Sequence, residues 1–166
     1  MDIEQDIAGV RIRKAVPEDA LSIAAVLYES FIGYRPLYTP EGFAATTPAS
    51  AEVRKRLEEG PVWVALERDA VVGTVSVVPK GDSLYVRGMA IVPAARGRRI
   101  GELLLREAEV FASERGFRRL FLSTTPFLDR AIRLYEHYGF QRSSEGPSDL
   151  FGTPLFTMEK TLEPRD

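Results

Sequence analysis

The stretch Met89-Ala90-Ile91-Val92-Pro93-Ala94-Ala95-Arg96-Gly97-Arg98-Arg99-Ile100-Gly101 decides the fold. An apolar run ends at a proline, a turn of glycine and arginines follows, and a helix begins. The opening N–H groups of a helix lack partners in the helix itself, and its dipole is positive there. A strand-to-helix turn of this kind receives phosphate oxygens. Gly97 lets a backbone approach closely, and Arg96, Arg98 and Arg99 add positive charge. No Ser, Thr, Asp or Asn stands before the helix to cap it, so its N–H groups are left for water or a ligand.

Downstream, Ile100, Leu103, Leu104, Ala108, Phe111 and Ala112 form an apolar stripe over residues 101–115, and Gly116 stands at the stop. Residues 120–122 read as a buried strand. A helix over 128–138 is stopped by Gly139, and residues 140–143 and 155–160 read as the last two strands. Upstream, residues 84–92 form a strand after the Gly81-Asp82 turn. Residues 62–67 and 71–78 are strands joined by a connection short enough for a hairpin. Residues 51–59 read as a helix, and residues 34–50 as irregular chain rich in Pro, Thr, Gly and aromatics. The alternation of Val10-Arg11-Ile12-Arg13-Lys14-Ala15 predicts a half-buried strand. Pro17-Glu18-Asp19 opens a helix whose apolar face is Ala20, Ala24, Leu27 and Phe31. Mixed strands and helices with several hairpins indicate an α+β domain with a largely antiparallel sheet.

Composition narrows the chemistry. The 166 residues suit one domain over 1–166, with flexible ends at 1–9 and 161–166. Hydrophobic residues are 45% and charged residues 28%, as in a globular protein. There is no cysteine and one histidine, His137, so thiolate sites, disulfides and histidine-cluster metal sites are excluded and no metal is expected. A net charge of −2 lacks a nucleic-acid footprint, and glutamates interleave with the arginines near the main helix. No apolar run is long enough for a membrane helix, and the acidic N-terminus is not a signal peptide. A cytoplasmic protein is expected.

Four features in order resemble the GCN5-related N-acetyltransferases, the GNAT superfamily. Arg11-Ile12-Arg13-Lys14-Ala15 with Glu18-Asp19-Ala20 resembles its first strand and helix. Met89-Ala90-Ile91-Val92-Pro93 resembles its central strand. Arg96-Gly97-Arg98-Arg99-Ile100-Gly101 resembles its Gln/Arg-x-x-Gly-x-Gly/Ala pyrophosphate loop. Ala131-Ile132-Arg133-Leu134-Tyr135-Glu136-His137-Tyr138-Gly139-Phe140 resembles the helix and strand that close the cofactor site. The resemblance implies the GNAT fold: a mostly antiparallel mixed sheet of six to seven strands flanked by about four helices. It implies acetyl-CoA (coenzyme A) as cofactor and acetyl transfer to a primary amine by direct attack. The acceptor would be a small molecule or a peptide.

Residue roles follow from the same resemblance. Met89, Ala90, Ile91 and Val92 would pair with the pantetheine arm like an added strand. An N–H near Met89 or Ala90 would polarise the thioester carbonyl. Backbone amides of Arg98, Arg99, Ile100 and Gly101, with the Arg96-Gly97 turn, would cradle the pyrophosphate, with Ala131 and Tyr135 on the closing helix. Tyr135 would be the general acid, a phenol with an ordinary pKa near ~10 donating to the departing thiolate. Tyr138 reads as core and His137 as exposed. Phe31, Tyr34, Tyr38, Arg87 and Phe151 would bind the acceptor, with Phe43, Asp149 and Gly152 nearby. No base is assigned: the central strand has no carboxylate, and Glu29 and Glu41 read as solvated charges. Two positions depart from the family pattern. Arg99 stands where its first glycine is usual, and a side chain there fits a helical backbone better than a positive φ. Leu128 replaces a frequent Asn. The alternative function is a non-catalytic acyl-CoA-binding sensor or regulatory module on the same fold. Many domains of this type pair into dimers, and the resemblance leaves a homodimer through the C-terminal strand open, with nothing in the sequence to decide it.

Overall fold

The computed structural model describes residues 9–163. The expected N-terminal tail, save Gly9, and residues 164–166 lie outside them. The described chain is a mixed sheet flanked by helices. Its strands are β1 (Val10–Lys14), β2 (Val62–Glu67), β3 (Ala70–Lys80), β4 (Ser83–Ile91), β5 (Arg119–Thr124), β6 (Gln141–Arg142), β7 (Ser148–Leu150) and β8 (Thr153–Thr161). Its helices are α1 (Ala20–Phe31), α2 (Pro40–Thr46), α3 (Ser50–Glu59), α4 (Ile100–Glu114) and α5 (Asp129–His137). The sheet order is β1-β2-β3-β4-β5-β8-β6, with β7 on β8. Every pairing is antiparallel except β4 with β5.

The sheet buries both faces. On one, α4 lays Ile100, Leu104, Leu105, Ala108 and Ala112 over Val75, Val77, Leu84, Val86, Leu120 and Leu122. The i, i+4 spacing of the α4 residues produces that stripe. On the other face, Ile23, Val26 and Leu27 of α1 and Val53 of α3 cover Val62, Val64 and Leu66. Two-sided burial explains why β2 is an unbroken apolar run.

Three expectations need correction. Among the described residues the sheet has eight strands and not six or seven, because β6 and β7 are short pieces lying against β8. There are five α-helices where about four were expected, because residues 40–46 are helical. Thr39 caps α2, its hydroxyl oxygen accepting the Gly42 N–H at 3.0 Å, and Pro40 opens the first turn. The tail expected from residue 161 starts later: Thr161 pairs with Arg119, and buried Leu162 donates its N–H to the Arg118 carbonyl. No described helix is long and apolar enough to cross a membrane.

Candidate active site

The site begins as a defect in the sheet. Strand β4 pairs with β5 only from Ser83 to Tyr85, opposite Arg119 to Phe121. Beyond that, β4 continues to Ile91 and β5 to Thr124 without pairing to each other. On the other edge of β4, Thr74 faces Ala90 and Ser76 faces Arg87, so β4 spends one extra residue there. Gly88 takes φ +59 in that bulge, a conformation suited to glycine. The bulge kinks β4 where it leaves β5. Helices α4 and α5 begin just past the diverging ends. Parallel strands that part in this way place a crevice at their carboxyl ends, where ligands of such sheets bind.

That crevice is a cleft of about 310 Å³. Met89, Ala90 and Ile91 form its floor, and Arg96, Gly97, Arg99, Ile100 and Gly101 its rim at the start of α4. Leu128, Arg130, Ala131, Leu134 and Tyr135 form one wall, and Ser30, Phe31 and Tyr34 the other. A Cβ at Gly101 would come within 2.6 Å of the Leu134 side chain, so glycine there lets α4 and α5 meet closely. No side chain caps α4, as the sequence suggests. Its unsatisfied N–H groups and positive dipole therefore open toward the rim.

The arginines divide. Arg96 donates to the Ser30 carbonyl at 3.1 Å, tying the rim to the last turn of α1. Arg98 is turned out of the cleft, in an ion pair with Glu67 of β2. The ion pair engages its side chain, whereas the cradle expected of Arg98 is made by its backbone amide. Arg99 lines the cleft, but at φ +63 and ψ 17, in the left-handed region. The backbone is thus not helical there, and a side chain is held at a positive φ where the family pattern has glycine. Val92 is also outside the cleft wall, with its N–H on the Val72 carbonyl.

Tyr135 is 6% exposed and lies on α5 facing the crevice. Burial pushes its phenol well above the ordinary value, and the neighbouring Tyr38 and Tyr85 add to the shift. The ordinary pKa expected for it is thus corrected upward, because water does not reach the phenolate to solvate it. Tyr135 is neutral throughout the physiological range. Tyr138 is half-buried, as a residue flanking the core, and its hydroxyl donates to Glu109 at 2.6 Å. His137 is exposed, 3.6 Å from Glu102.

The acceptor residues separate too. Phe31 and Tyr34 line the cleft. Tyr38 is buried, edge-on to Phe127 at 4.9 Å between ring centres. Arg87 lies on the sheet face toward α3 and donates to Glu59 at 2.8 Å. Phe151 is 66% exposed at φ +49, outside the cleft. Glu29 and Glu41 are exposed. Sequence reasoning did not select Ser30, Ala95, Glu102, Arg130 or Leu134, all of which line the cleft. Leu128, just before α5, and Ala131, Leu134 and Tyr135 on it recur at helical spacing, the signal that points to Leu134. Arg130 carries no comparable signal.

The sequence matches the acetyltransferase (GNAT) family over residues 25–140. It is 31% identical over 136 residues to the uncharacterized N-acetyltransferase YjgM of Escherichia coli (strain K12), covering 78% of this chain and 81% of that one. It is 37% identical over 84 residues to the probable N-acetyltransferase camello of Xenopus laevis, covering 49% of this chain and 38% of that one. The chain thus spans less than half the length of that vertebrate relative. The fold superposes on PaiA N-acetyltransferase from Thermoplasma acidophilum, solved in complex with coenzyme A, with a TM-score of 0.79 and 20% identity over 92% of this chain and 99% of that one. It also superposes on the ribosomal-protein-S18-alanine N-acetyltransferase from Escherichia coli, with a TM-score of 0.74 and 15% identity over 95% of this chain and 96% of that one.

Proposed function

This chain belongs to the acetyltransferase (GNAT) family, and on that premise we propose that it transfers an acetyl group from acetyl-CoA to a primary amine by direct attack, with Tyr135 as general acid. One observation carries the reading. The uncapped start of α4, the unpaired edge of β4 and the buried phenol of Tyr135 all open into the same cleft. That set of groups fits a ligand with an anionic head, an extended polar arm and a reactive end.

Acetyl-CoA, when bound, supplies a thioester whose carbonyl carbon accepts the amine. The first-turn N–H groups of α4, with Arg99 and Arg130, would hold its phosphates. The backbone of Met89 to Ile91, free of β5, would pair with the arm as a strand edge does. An N–H on this edge would steady negative charge on the carbonyl oxygen. Tyr135 would give its proton to sulfur as the C–S bond breaks and the C–N bond forms. The amine sheds its proton to water, and solvent restores the phenol. Phe31 and Tyr34 would exclude water around the reacting atoms.

Calorimetric titration with acetyl-CoA, against ATP as control, tests the reading, followed by thiol release over an amine panel. Saturable acetyl-CoA binding without ATP binding, and thiol release that needs an amine, is the expected result. No acetyl-CoA binding by folded, cofactor-free protein overturns it. Binding without thiol release on any amine would instead mark a non-catalytic acyl-CoA module.

A further inference from the structure

On the sheet face toward α3, beside the mouth of the crevice, sit two arginines with too little to bind. Leu84 and Val86 point to the α4 side, so Tyr85 and Arg87 share the opposite face of β4. Arg87 uses one nitrogen on Glu59, but its Nε is buried with no partner. Ser76, its neighbour across the β3–β4 pair, is 5% exposed, and its hydroxyl is also buried without a partner. Buried polar groups are nearly always satisfied, and an exception calls for an explanation.

Arg56 of α3 reaches the same place. Its guanidinium lies 3.3 Å from where a Cβ on Gly88 would stand, at the bulge. Among the described residues it makes one hydrogen bond, at 3.4 Å to the Ala45 carbonyl, and no ion pair. Burial and the charge of Arg87 both weaken its hold on its proton, while Glu59 and Glu52 offset them only in part. Glu52 is also engaged with Lys55, and Glu59 is half exposed. The cluster is therefore short of one negative charge.

Its position supplies the meaning. Arg87 precedes the Gly88 bulge, Arg56 reaches Gly88 itself, and Met89, the next residue, lines the cleft. The arginines thus stand at the bulge where β4 turns into the crevice. We propose that Arg56 and Arg87, with the Ser76 hydroxyl, anchor a carboxylate of the acceptor, so that the substrate class is an amine that also bears a carboxylate, an amino acid or a close analogue. A planar guanidinium pair matches a carboxylate by paired hydrogen bonds. The anchor would hold the acceptor's anionic end on the α3 face and turn its amine, past the Gly88 bulge, toward the crevice. An amine without a carboxylate would leave both guanidiniums without that partner.

The proposal rests on the acetyl-transfer reading, so acetyl-CoA titration of the same preparation comes first. Failure to bind acetyl-CoA sinks that reading and this one with it. With binding established, thiol release is compared for L-amino acids, their amides and their decarboxylated amines. The expected result is a kcat/KM at least tenfold higher for the acids. Arg56→Gln should raise KM for the acids at least tenfold with kcat little changed, and Arg56→Lys should restore part of the loss. Melting temperature and acetyl-CoA affinity should stay at wild-type values in both variants, which separates lost anchoring from lost folding. Equal use of acids and amides, thiol release from none of the acids, or an unchanged KM in Arg56→Gln would each overturn the anchor while leaving acetyl transfer standing.

Discussion

Arg13 holds Asp19 by both carboxylate oxygens, Nη1 to Oδ2 at 2.7 Å and Nη2 to Oδ1 at 3.0 Å. The same carboxylate accepts the Val16 N–H at 2.8 Å. The pair thus ties β1 to the start of α1. Hydrogen bonding to Arg13 holds the Asp19 carboxyl below its ordinary value, against the opposing effect of burial. Asp19→Ala should cost about 2 kcal/mol in urea unfolding, the usual worth of charged hydrogen bonds. A depressed folded pKa gives stability that is complete above the unfolded value, near ~3.9, and is lost as pH falls through the folded value. Wild-type stability should therefore fall more steeply than that of Asp19→Ala as pH drops below about 4. Parallel slopes would show that the pair is not linked to folding.

Arg99 sits in a left-handed conformation that glycine adopts freely. Arg99→Gly should be about 1 kcal/mol more stable than Arg99→Ala, since only the second keeps a Cβ at positive φ. For a chain of this size that separates their melting temperatures by roughly 3 °C. Both variants should bind acetyl-CoA more weakly than wild type, because each removes a cation from the rim. Calorimetry and thermal melts read the two effects separately, and a common cause would make them move together.

Tyr135→Phe keeps the packing and removes the proton. Thiol release should fall by about 100-fold, within the usual range for a general acid, while acetyl-CoA affinity stays within about twofold. The phenol is held well above its ordinary value by burial. The wild-type rate should therefore show no alkaline loss from ionisation of Tyr135 up to about pH 10, the ordinary phenol value. An unchanged rate in Tyr135→Phe would remove the acid from the mechanism.

Arg98 and Arg130 should behave in opposite ways. Arg98 is paired with Glu67 away from the cleft, and Arg130 lines it. Arg98→Ala should leave acetyl-CoA affinity nearly unchanged. Arg130→Ala should weaken it several-fold, with the larger effect at low salt, where screening is weakest. The reverse order would mean that Arg98 leaves Glu67 when ligand arrives.

The sequence carried the scaffold well where physics is local. The α4 stripe, the Gly116 stop and the missing cap before Ile100 are all visible as residue types at fixed spacings. Helix α2 was missed because its signals, Thr39, Pro40 and Glu41, sit among other prolines and threonines that read as loop. Arg98 and Arg99 of the phosphate turn are indistinguishable by residue type, because Glu67, the partner of Arg98, lies on a strand far away in sequence. The same holds for Arg87, whose partner Glu59 and neighbour Arg56 come from α3. The positive φ of Arg99 was not foreseen, since the residue itself argues against it. Local pattern reveals elements, and long-range pairing decides which charges remain available.

The parting of β4 from β5 has a consequence for self-association. Peptide groups left without a strand partner are a template for another protein's strand, and exposed edges of this kind invite aggregation. Here the open stretch lies inside the molecule, between the end of α1 and the face of α5. A second β-strand with side chains on alternate faces would be turned away by those walls. On the proposed reading, a narrow arm nearly free of side chains would pass. The geometry that gives the chain a cleft thus also screens what can dock on its interior edge, and keeps that edge from becoming adhesive.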